Sequence, residues 1–430
     1  MLAARASLLA LGFGNTILTA RLLQPEGRGA YAATMAALGL FTLSVGSLGT
    51  GVALSAAHDD EDARGRTTTG SIGLAFSAGL LPVLLLVAWH PGAGWYGPAV
   101  IAAISTPFVL LTNSVQFACL GRGRLGWVAT TQVVQPTLLV ALGVPLMLVL
   151  RLGLTGAMLA WTVSWLATAA IGAFVLLRLG LTFRAADLAP WRSQRLVGFG
   201  VGAAAYNTLS YFTNRSLLFL VQGVAGLGAA GVFSVAVTLA EPMSNMSVAI
   251  SSAAYPRLVA PAGRARETRR FIQVALVMSV LGGSGILVLA LLLLIPVFGG
   301  AYRQAMSPLP LLLLGYVILS GREVAVLWYV HEQKSYAMPI RASAVAFAST
   351  LGVALPLSLR FGTVGAAGGA VVGAVVLMAL LLGGLSRRGL APVSLVRFDR
   401  SLLEPLAGIA ERYGPGRLAR RVRGRPKSDR

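Results

Sequence analysis

The chain has 430 residues, of which 56% are hydrophobic and only 11% are charged. A soluble domain carries roughly 25% charged residues, so this composition excludes an ordinary soluble protein and indicates a polytopic membrane protein. The formal net charge of +21 would suggest nucleic-acid binding in a soluble protein. Here the basic residues fall mainly in predicted loops and in the C-terminal tail, where membrane topology explains them better, so we expect no nucleic-acid partner.

The apolar segments predict an all-α integral membrane protein with about twelve transmembrane helices. Each segment is long enough to cross about 30 Å of hydrocarbon. In chain order they cover residues 6–23, 29–57, 68–89, 96–120, 125–150, 155–177, 196–221, 227–254, 271–297, 306–330, 338–359 and 363–385. An even number of spans places both termini on one side of the membrane.

Basic residues distinguish the two sides of the predicted bundle. The loops on the side of the N-terminus hold fourteen of them, whereas those on the other side hold only Arg21, Arg28, Arg151, Arg303 and Arg360. Because Lys and Arg concentrate in cytoplasmic loops, both termini are expected to be cytoplasmic.

One stretch of sequence occurs twice. Residues 142–157 and 351–366 match without a gap at ten of sixteen positions, including Arg151 with Arg360 and Gly153 with Gly362. The two copies end spans five and eleven, which are six spans apart and therefore run in the same direction. This predicts two six-helix lobes that are parallel repeats, related by a two-fold axis along the membrane normal, an organisation typical of transporters.

The predicted organisation has four parts: an N-terminal lobe at 1–177, a cytoplasmic linker at 178–195, a C-terminal lobe at 196–385 and a basic cytoplasmic tail at 386–430. We interpret the tail as a topology anchor that lies on anionic lipid. Docking of a partner protein is the alternative interpretation.

The sequence contains almost nothing that indicates catalysis. The three histidines lack metal-ligand spacing, the single cysteine (Cys119) lies in an apolar run, and no loop is large enough for a catalytic domain. We therefore expect no enzyme activity, no metal and no cofactor.

Four charged residues lie well inside predicted spans, all of them in the second half: Arg215, Glu241, Arg322 and Glu323. Each needs a partner or a wet cavity, because a charge at the centre of a bilayer costs about 2.5–3.5 kcal/mol on insertion scales. Counting residues from the span ends places Glu241 and Arg322 at one level and Arg215 about 12 Å higher, at about 1.5 Å per residue.

This estimate gives a hypothesis in which Glu241 and Arg322 form a buried pair and Arg215 is an unpaired cation that binds an anionic substrate. The alternative is that Arg215 extends to the membrane interface. Glu241 and Glu323 are candidates for ion coupling. Uncharged polar residues in the first half, Asn15, Gln132 and Gln135, either line the cavity or form hydrogen bonds between helices.

The connection between the first two spans carries a family resemblance. Its residues follow the pattern R-L-L-x-P-x-x-x-G-x-Y, with Arg21, Pro25, Gly29 and Tyr31. This resembles the start of the polysaccharide flippases within the multidrug/oligosaccharidyl-lipid/polysaccharide exporter superfamily. Residues 227–236, 255–258, 297–302 and 362–367 resemble the counterparts in the second half of that family.

The resemblance implies a function in a bacterial inner membrane. It implies that an oligosaccharide on an undecaprenyl pyrophosphate carrier moves from the inner to the outer leaflet by alternating access between the lobes. Arg215, Arg322 and Arg21 would then contact the anionic substrate, since an arginine fork matches phosphate geometry. The implied partners are the lipid-linked anionic oligosaccharide, membrane lipids, and a polysaccharide polymerase and glycosyltransferases.

Two other classes of transporter stay open at this point. A multidrug or cation antiporter of the same superfamily would use intramembrane carboxylates, of which the first half has none. A major facilitator transporter also has twelve spans in parallel halves, but the start motif and the second-half matches favour the flippase family.

Overall fold

In a computed structural model of the chain, the described residues are 2–50, 52–53, 61–89, 94–178, 194–259, 264–333 and 335–386. Most of the predicted linker (179–193) and the predicted tail after Ser386 lie outside this range. The boundaries of the four parts therefore stay predictions.

The first lobe consists of helices that cross the bundle six times. They are α1 (Leu2–Gly46), α2 (Glu61–Gly79), α3 (Leu81–Trp89), α4 (Tyr96–Ala103), α5 (Thr106–Gly121), α6 (Leu125–Val144) and α7 (Gly153–Arg178). The second lobe repeats this plan with α8 (Gln194–Ala240), α9 (Pro242–Val259), α10 (Arg264–Phe298), α11 (Leu309–Ile318), α12 (Arg322–Gln333), α13 (Ala337–Phe361) and α14 (Thr363–Ser386).

Ten helical segments within the described residues are long and apolar enough to span a membrane, and two of them are double. These two, Ala10–Gly49 and Gly200–Ser252, have 40 and 53 residues, about twice the length of one crossing. Each contains a sharp break, so the ten segments make twelve crossings. The predicted fold of twelve transmembrane helices in two parallel six-helix lobes is confirmed.

The two breaks have different local causes. In α1, Gln24 adopts φ 58° and precedes Pro25, which has no backbone N–H and disfavours a helical conformation in the residue before it. In α8, Gly226 adopts φ 83°, which glycine reaches without a Cβ penalty. We call these two breaks the elbows, and the end of the bundle where they lie the elbow end. They follow the first and seventh crossings, so this end is opposite the termini.

The elbows contact each other around the pseudo-two-fold axis. A Cβ on Gly29 would overlap the carbonyl oxygen of Leu227 and lie 3.1 Å from Gly231 N. A Cβ on Gly231 would likewise overlap the carbonyl oxygen of Pro25 and lie 3.0 Å from Gly29 N. Both relationships are the same contact with the lobes exchanged, since residues 25 and 29 are each 202 positions before 227 and 231. The two backbones therefore cross at a distance that only glycine permits.

The sequence repeat also has a structural counterpart. Gly153 and Gly362 both adopt a left-handed conformation, with φ 53° and 56°, where the fifth and eleventh crossings turn into the next helix. Each lobe has buried apolar clusters of its own, and one larger cluster joins Ala20 and Ala36 of α1 to the second lobe. Large side chains on α10, such as Leu291 (68% exposed) and Leu292 (66% exposed), face outward as lipid-facing residues do.

Replacing Gly29 by alanine tests the backbone crossing. The added methyl group overlaps a carbonyl oxygen of the other lobe, so we expect the free energy of unfolding to fall by about 2 kcal/mol, within the usual range for overpacking. The measurement is thermal unfolding of the purified protein in detergent. Gly285→Ala is the matched control, because a Cβ there meets no atom within 4 Å. Equal unfolding temperatures for the two variants would contradict the crossing.

Candidate functional site

A cavity of ≈ 200 Å³ lies between the two lobes and has a largely polar lining. We call it the interlobe cavity. Its polar and aromatic lining comes from α1 and α7 in the first lobe and from α8 and the α8–α9 junction in the second. These residues are Asn15, Thr16, Arg28, Tyr31, Trp161, Tyr211, Asn214, Arg215, Ser234, Thr238 and Glu241.

Arg28 is the most buried charged residue of this cavity, with 5% of its surface exposed. Its Nη1 donates to Thr19 Oγ1 at 2.7 Å, and its Nε donates to Ser234 Oγ of the other lobe at 3.2 Å. The guanidinium also lies 5.3 Å from the centre of the Tyr31 ring, a cation–π distance. Within the described part of the chain, no carboxylate lies in salt-bridge distance of Arg28.

Arg215 and Glu241 form the second charged feature of the cavity. Nη2 of Arg215 donates to Oε1 of Glu241, and the guanidinium lies 5.7 Å from the centre of the Tyr211 ring. Glu241 is the turn residue where α8 ends, directly before Pro242. The described lining thus holds two arginines and one glutamate, so the cavity has an excess of one positive charge, and Arg28 supplies it.

The other pair, Arg322 and Glu323, lies inside the second lobe. Arg322 donates Nε to Glu323 Oε1 at 2.9 Å at the start of α12, directly after a short 3₁₀ segment (Leu319–Gly321) that interrupts the tenth crossing. Arg322 lines a separate cavity of only ≈ 40 Å³, together with Ser210, Asn214 and Ser343. That volume holds a few water molecules but not a pyrophosphate.

The predicted pairing of Glu241 with Arg322 is therefore wrong, and Arg215 is not an unpaired cation. The predicted depths took separate span ends at 221 and 227 as their origins. Counted from the single break at Gly226, Arg215 and Glu241 differ by four residues, or about 6 Å along the helices, which one arginine side chain can bridge. Arg322 and Glu323 meet although they are adjacent, because the long arginine side chain folds back onto its neighbour.

Arg21, a predicted contact for the substrate, lies at the elbow end and not in the lining of the interlobe cavity. Its Nε donates to the carbonyl oxygen of Val297 at 2.7 Å, and its Nη2 donates to that of Pro296. A cation is favourable at this position, because the carbonyls at the C-terminal end of α10 carry partial negative charge. Arg21 therefore joins the two lobes at the elbow end, and its contact with a substrate stays a prediction.

The three uncharged polar residues named from the sequence lie in different places. Asn15 lines the interlobe cavity and donates to the hydroxyl of Tyr31 at 3.3 Å. Gln135 donates to Ser164 Oγ at 3.2 Å between α6 and α7, which is a contact within the first lobe. Gln132 lies half-buried on α6, outside the lining of the interlobe cavity.

Sequence reasoning missed Arg28, which it counted as a basic residue of an outer loop. A signal was present, because Arg28 lies inside the motif between Pro25 and Tyr31, close to the next apolar segment. The structure shows that α1 becomes helical again directly after Gln24, so Arg28 lies on a transmembrane helix about 6 Å from the elbow.

Comparison with solved structures identifies the class of fold to which the chain belongs. The chain is similar to lipid II flippase MurJ in an inward closed conformation, with a TM-score of 0.74 and 13% identity over 96% of this chain and 92% of that one. It is also similar to an inward-facing multidrug resistance transporter of the MATE family, with a TM-score of 0.65 and 16% identity over 89% and 94%. The chain thus has the fold of the MOP-superfamily transporters.

A third similar structure is that of a MOP-superfamily transporter from Pyrococcus furiosus, with a TM-score of 0.65 and 15% identity over 92% of this chain and 95% of that one. The reversed polarity of the binding pocket in that transporter suggests that its function differs. The family model of polysaccharide biosynthesis proteins matches residues 4–260, and the chain belongs to that family. No curated protein matches the chain in sequence.

A double-mutant cycle tests the corrected pairing. Arg215→Gln and Glu241→Gln each leave a charge in the protein interior without its partner, so we expect both single variants to lose stability and the double variant to lose less than their sum. The expected coupling energy is roughly 0.5–3 kcal/mol, as for residues in contact. Thermal unfolding in detergent provides the four values.

The cycle of Glu241→Gln with Arg322→Gln is the matched control, since no salt bridge joins these two residues. A larger coupling in this second cycle than in the first would restore the pairing that the sequence suggested.

Proposed function

We propose that the chain is a flippase that moves a lipid-linked oligosaccharide on a polyprenyl pyrophosphate carrier from the inner to the outer leaflet. The observation that carries the proposal is Arg28, a buried cation at the lobe interface whose bonds go to hydroxyl groups and not to a carboxylate. Membership of the polysaccharide biosynthesis family and the similarity to a lipid II flippase support a lipid-linked substrate.

Arginine at this position suits a pyrophosphate. A guanidinium presents N–H donors in a planar fork that matches phosphate oxygens, and charge-assisted bonds are roughly twice as strong as neutral ones. Arg215 adds a second guanidinium whose charge Glu241 balances. Trp161, Tyr211, Asn15 and Asn214 supply aromatic and amide groups, which suit a sugar that is both apolar on its ring faces and polar at its edges.

Alternating access requires that the interlobe cavity open first to one side of the membrane and then to the other. The excess of basic residues on the side of the termini favours a cytoplasmic position for that side, and the elbow end then faces outward. With the elbows in contact, the outer end is closed. Transport then requires that the elbows separate while the bound headgroup stays in the interlobe cavity.

A multidrug or cation antiporter is the second candidate, which the MATE-family structures and the carboxylate of Glu241 in the cavity favour. A cationic drug needs a carboxylate that is not already neutralised. Among the charged residues of the spans, Glu241 is paired with Arg215, and Glu323 with Arg322. The remaining charge of the cavity is positive, which favours an anionic substrate.

Deletion of the gene in its native host tests the substrate class. The proposal predicts that lipid-linked oligosaccharide accumulates in the inner leaflet and that surface polysaccharide falls, without a change in susceptibility to cationic drugs. Increased drug susceptibility with unchanged surface polysaccharide would instead support the antiporter.

Complementation of that deletion with Arg28 variants tests the residue. Arg28→Gln keeps polar atoms but removes the charge, so we expect transport to fall about tenfold or more, corresponding to 1.5–3 kcal/mol for a bond to a charged group. Arg28→Lys keeps the charge without the fork and should retain part of the activity. Arg303→Gln, which changes an exposed arginine at the elbow end outside the lining of the interlobe cavity, is the control. Full activity of Arg28→Gln at normal membrane levels would remove Arg28 from the site.

A further inference from the structure

At the elbow end, apolar packing between α1 and α8 is supplemented by a few specific backbone and polar contacts between the lobes. Besides the backbone crossing at Gly29 and Gly231, Tyr302 of the second lobe donates to the carbonyl oxygen of Ala20 at 3.0 Å, and Arg21 donates to carbonyls at the end of α10. The hydrogen bond from Arg28 to Ser234 is the fourth contact. Of the hydrogen bonds just named, only this one joins two side chains that both line the interlobe cavity.

The two hydroxyls that hold Arg28 act as acceptors. Ser234 donates its own proton to the carbonyl oxygen of Gly231 at 2.7 Å, and Thr19 donates to that of Asn15 at 2.8 Å. Their lone pairs therefore remain for the guanidinium, with Thr19 on the same lobe as Arg28 and Ser234 on the other. A neutral hydroxyl is a weaker acceptor for a guanidinium than an anionic oxygen is.

The hydrogen bond between Arg28 and Ser234 lies next to the elbow crossing. Ser234 lies one helical turn after Gly231, and Arg28 directly precedes Gly29, so the hydrogen bond spans the lobes beside the point where their backbones touch. Loss of the Arg28–Ser234 bond therefore weakens the closed elbow end locally. Thr19 keeps Arg28 attached to the first lobe when this happens.

We propose that Arg28 and Ser234 form a latch between the lobes that an anionic group of the substrate opens. The anion takes the guanidinium from Ser234, the contact between the lobes is lost, and the elbow end separates. When the substrate leaves, Arg28 returns to Ser234 and the empty protein closes again at this end. The inference rests on the proposed function, and it assigns Ser234 and Thr19 as positioning residues.

The chain offers a direct reporter for closure of the elbow end. A Cβ on Gly228 would lie 3.7 Å from Glu26 Cγ, so cysteines at these two positions are close enough to form a disulfide when the elbows touch. The single native cysteine, Cys119, is 1% exposed and gives little background. The experiment measures oxidant-driven cross-linking of the Glu26→Cys/Gly228→Cys protein in detergent.

The probe is undecaprenyl pyrophosphate, with undecaprenol as the uncharged control lipid. We expect the pyrophosphate to lower the rate of cross-linking by about fivefold or more, the lower range of typical allosteric couplings, and undecaprenol to leave it unchanged. Ser234→Ala should lower cross-linking without any ligand and remove most of the response. Ser234→Thr keeps a hydroxyl and should restore the response, whereas Thr34→Ala, which removes a hydroxyl bonded only within its own helix, should behave as the parent protein.

Thermal stabilisation of the protein by undecaprenyl pyrophosphate, measured in parallel, distinguishes failure of the latch from failure of the proposed function. If the pyrophosphate binds in an Arg28-dependent manner but cross-linking does not change, the latch is overturned and the proposed function stands. If it does not bind, or binds equally to Arg28→Gln, both are overturned. An equal effect of undecaprenol, or a full ligand response in Ser234→Ala, also overturns the latch.

Discussion

The backbone crossing at Gly29 and Gly231 is the constraint on which the other features depend. It places the two elbows against each other around the pseudo-two-fold axis, and the same atoms of each lobe make the contact. Because a side chain at either position would overlap a carbonyl oxygen of the other lobe, the elbows meet only with glycine there. Their contact closes one end of the lobe interface and leaves the interlobe cavity below it. Arg28 is held where it faces both the cavity and the contact.

This crossing gives a physical account of the start motif. Arg21 binds carbonyls at the end of α10, the carbonyl of Pro25 touches Gly231, and Gly29 makes the reciprocal contact. Tyr31 lies under Arg28 and lines the cavity. In the second half, Leu227 and Gly231 belong to one of the segments that resemble the family, residues 227–236. The start motif thus meets residues 227–231 and 297–302 at one place in the structure, which their separation in sequence does not reveal.

The sequence predicted most of the fold because hydrophobic length and repeat are local signals. Each of the twelve spans was recognisable from its apolar residues, and the direction of the repeat followed from counting spans. The charge pairing was not predictable in the same way. Whether Glu241 meets Arg215 or Arg322 depends on the depth of each residue in the bundle, which is set by the position of the sharp break at Gly226. It also depends on how far an arginine side chain reaches. Arg28 was missed because a basic residue near a helix end is ordinarily a topology signal. Its burial results from contacts with the other lobe, such as that with Ser234, which is 206 residues away in the sequence.

The symmetry of the lobes is a symmetry of backbone and not of charge. The second lobe carries both ion pairs, whereas the first contributes the arginine that no carboxylate in the described structure neutralises. An anionic headgroup in the cavity would therefore contact both lobes, which is the condition for a ligand to change their relative position. The most direct test of this account is transbilayer movement of a fluorescent undecaprenyl pyrophosphate oligosaccharide by the purified protein in liposomes. The account predicts that the pyrophosphate-linked lipid moves and that the same oligosaccharide on an uncharged polyprenyl linkage does not. Equal movement of the two lipids, or of neither, would contradict it.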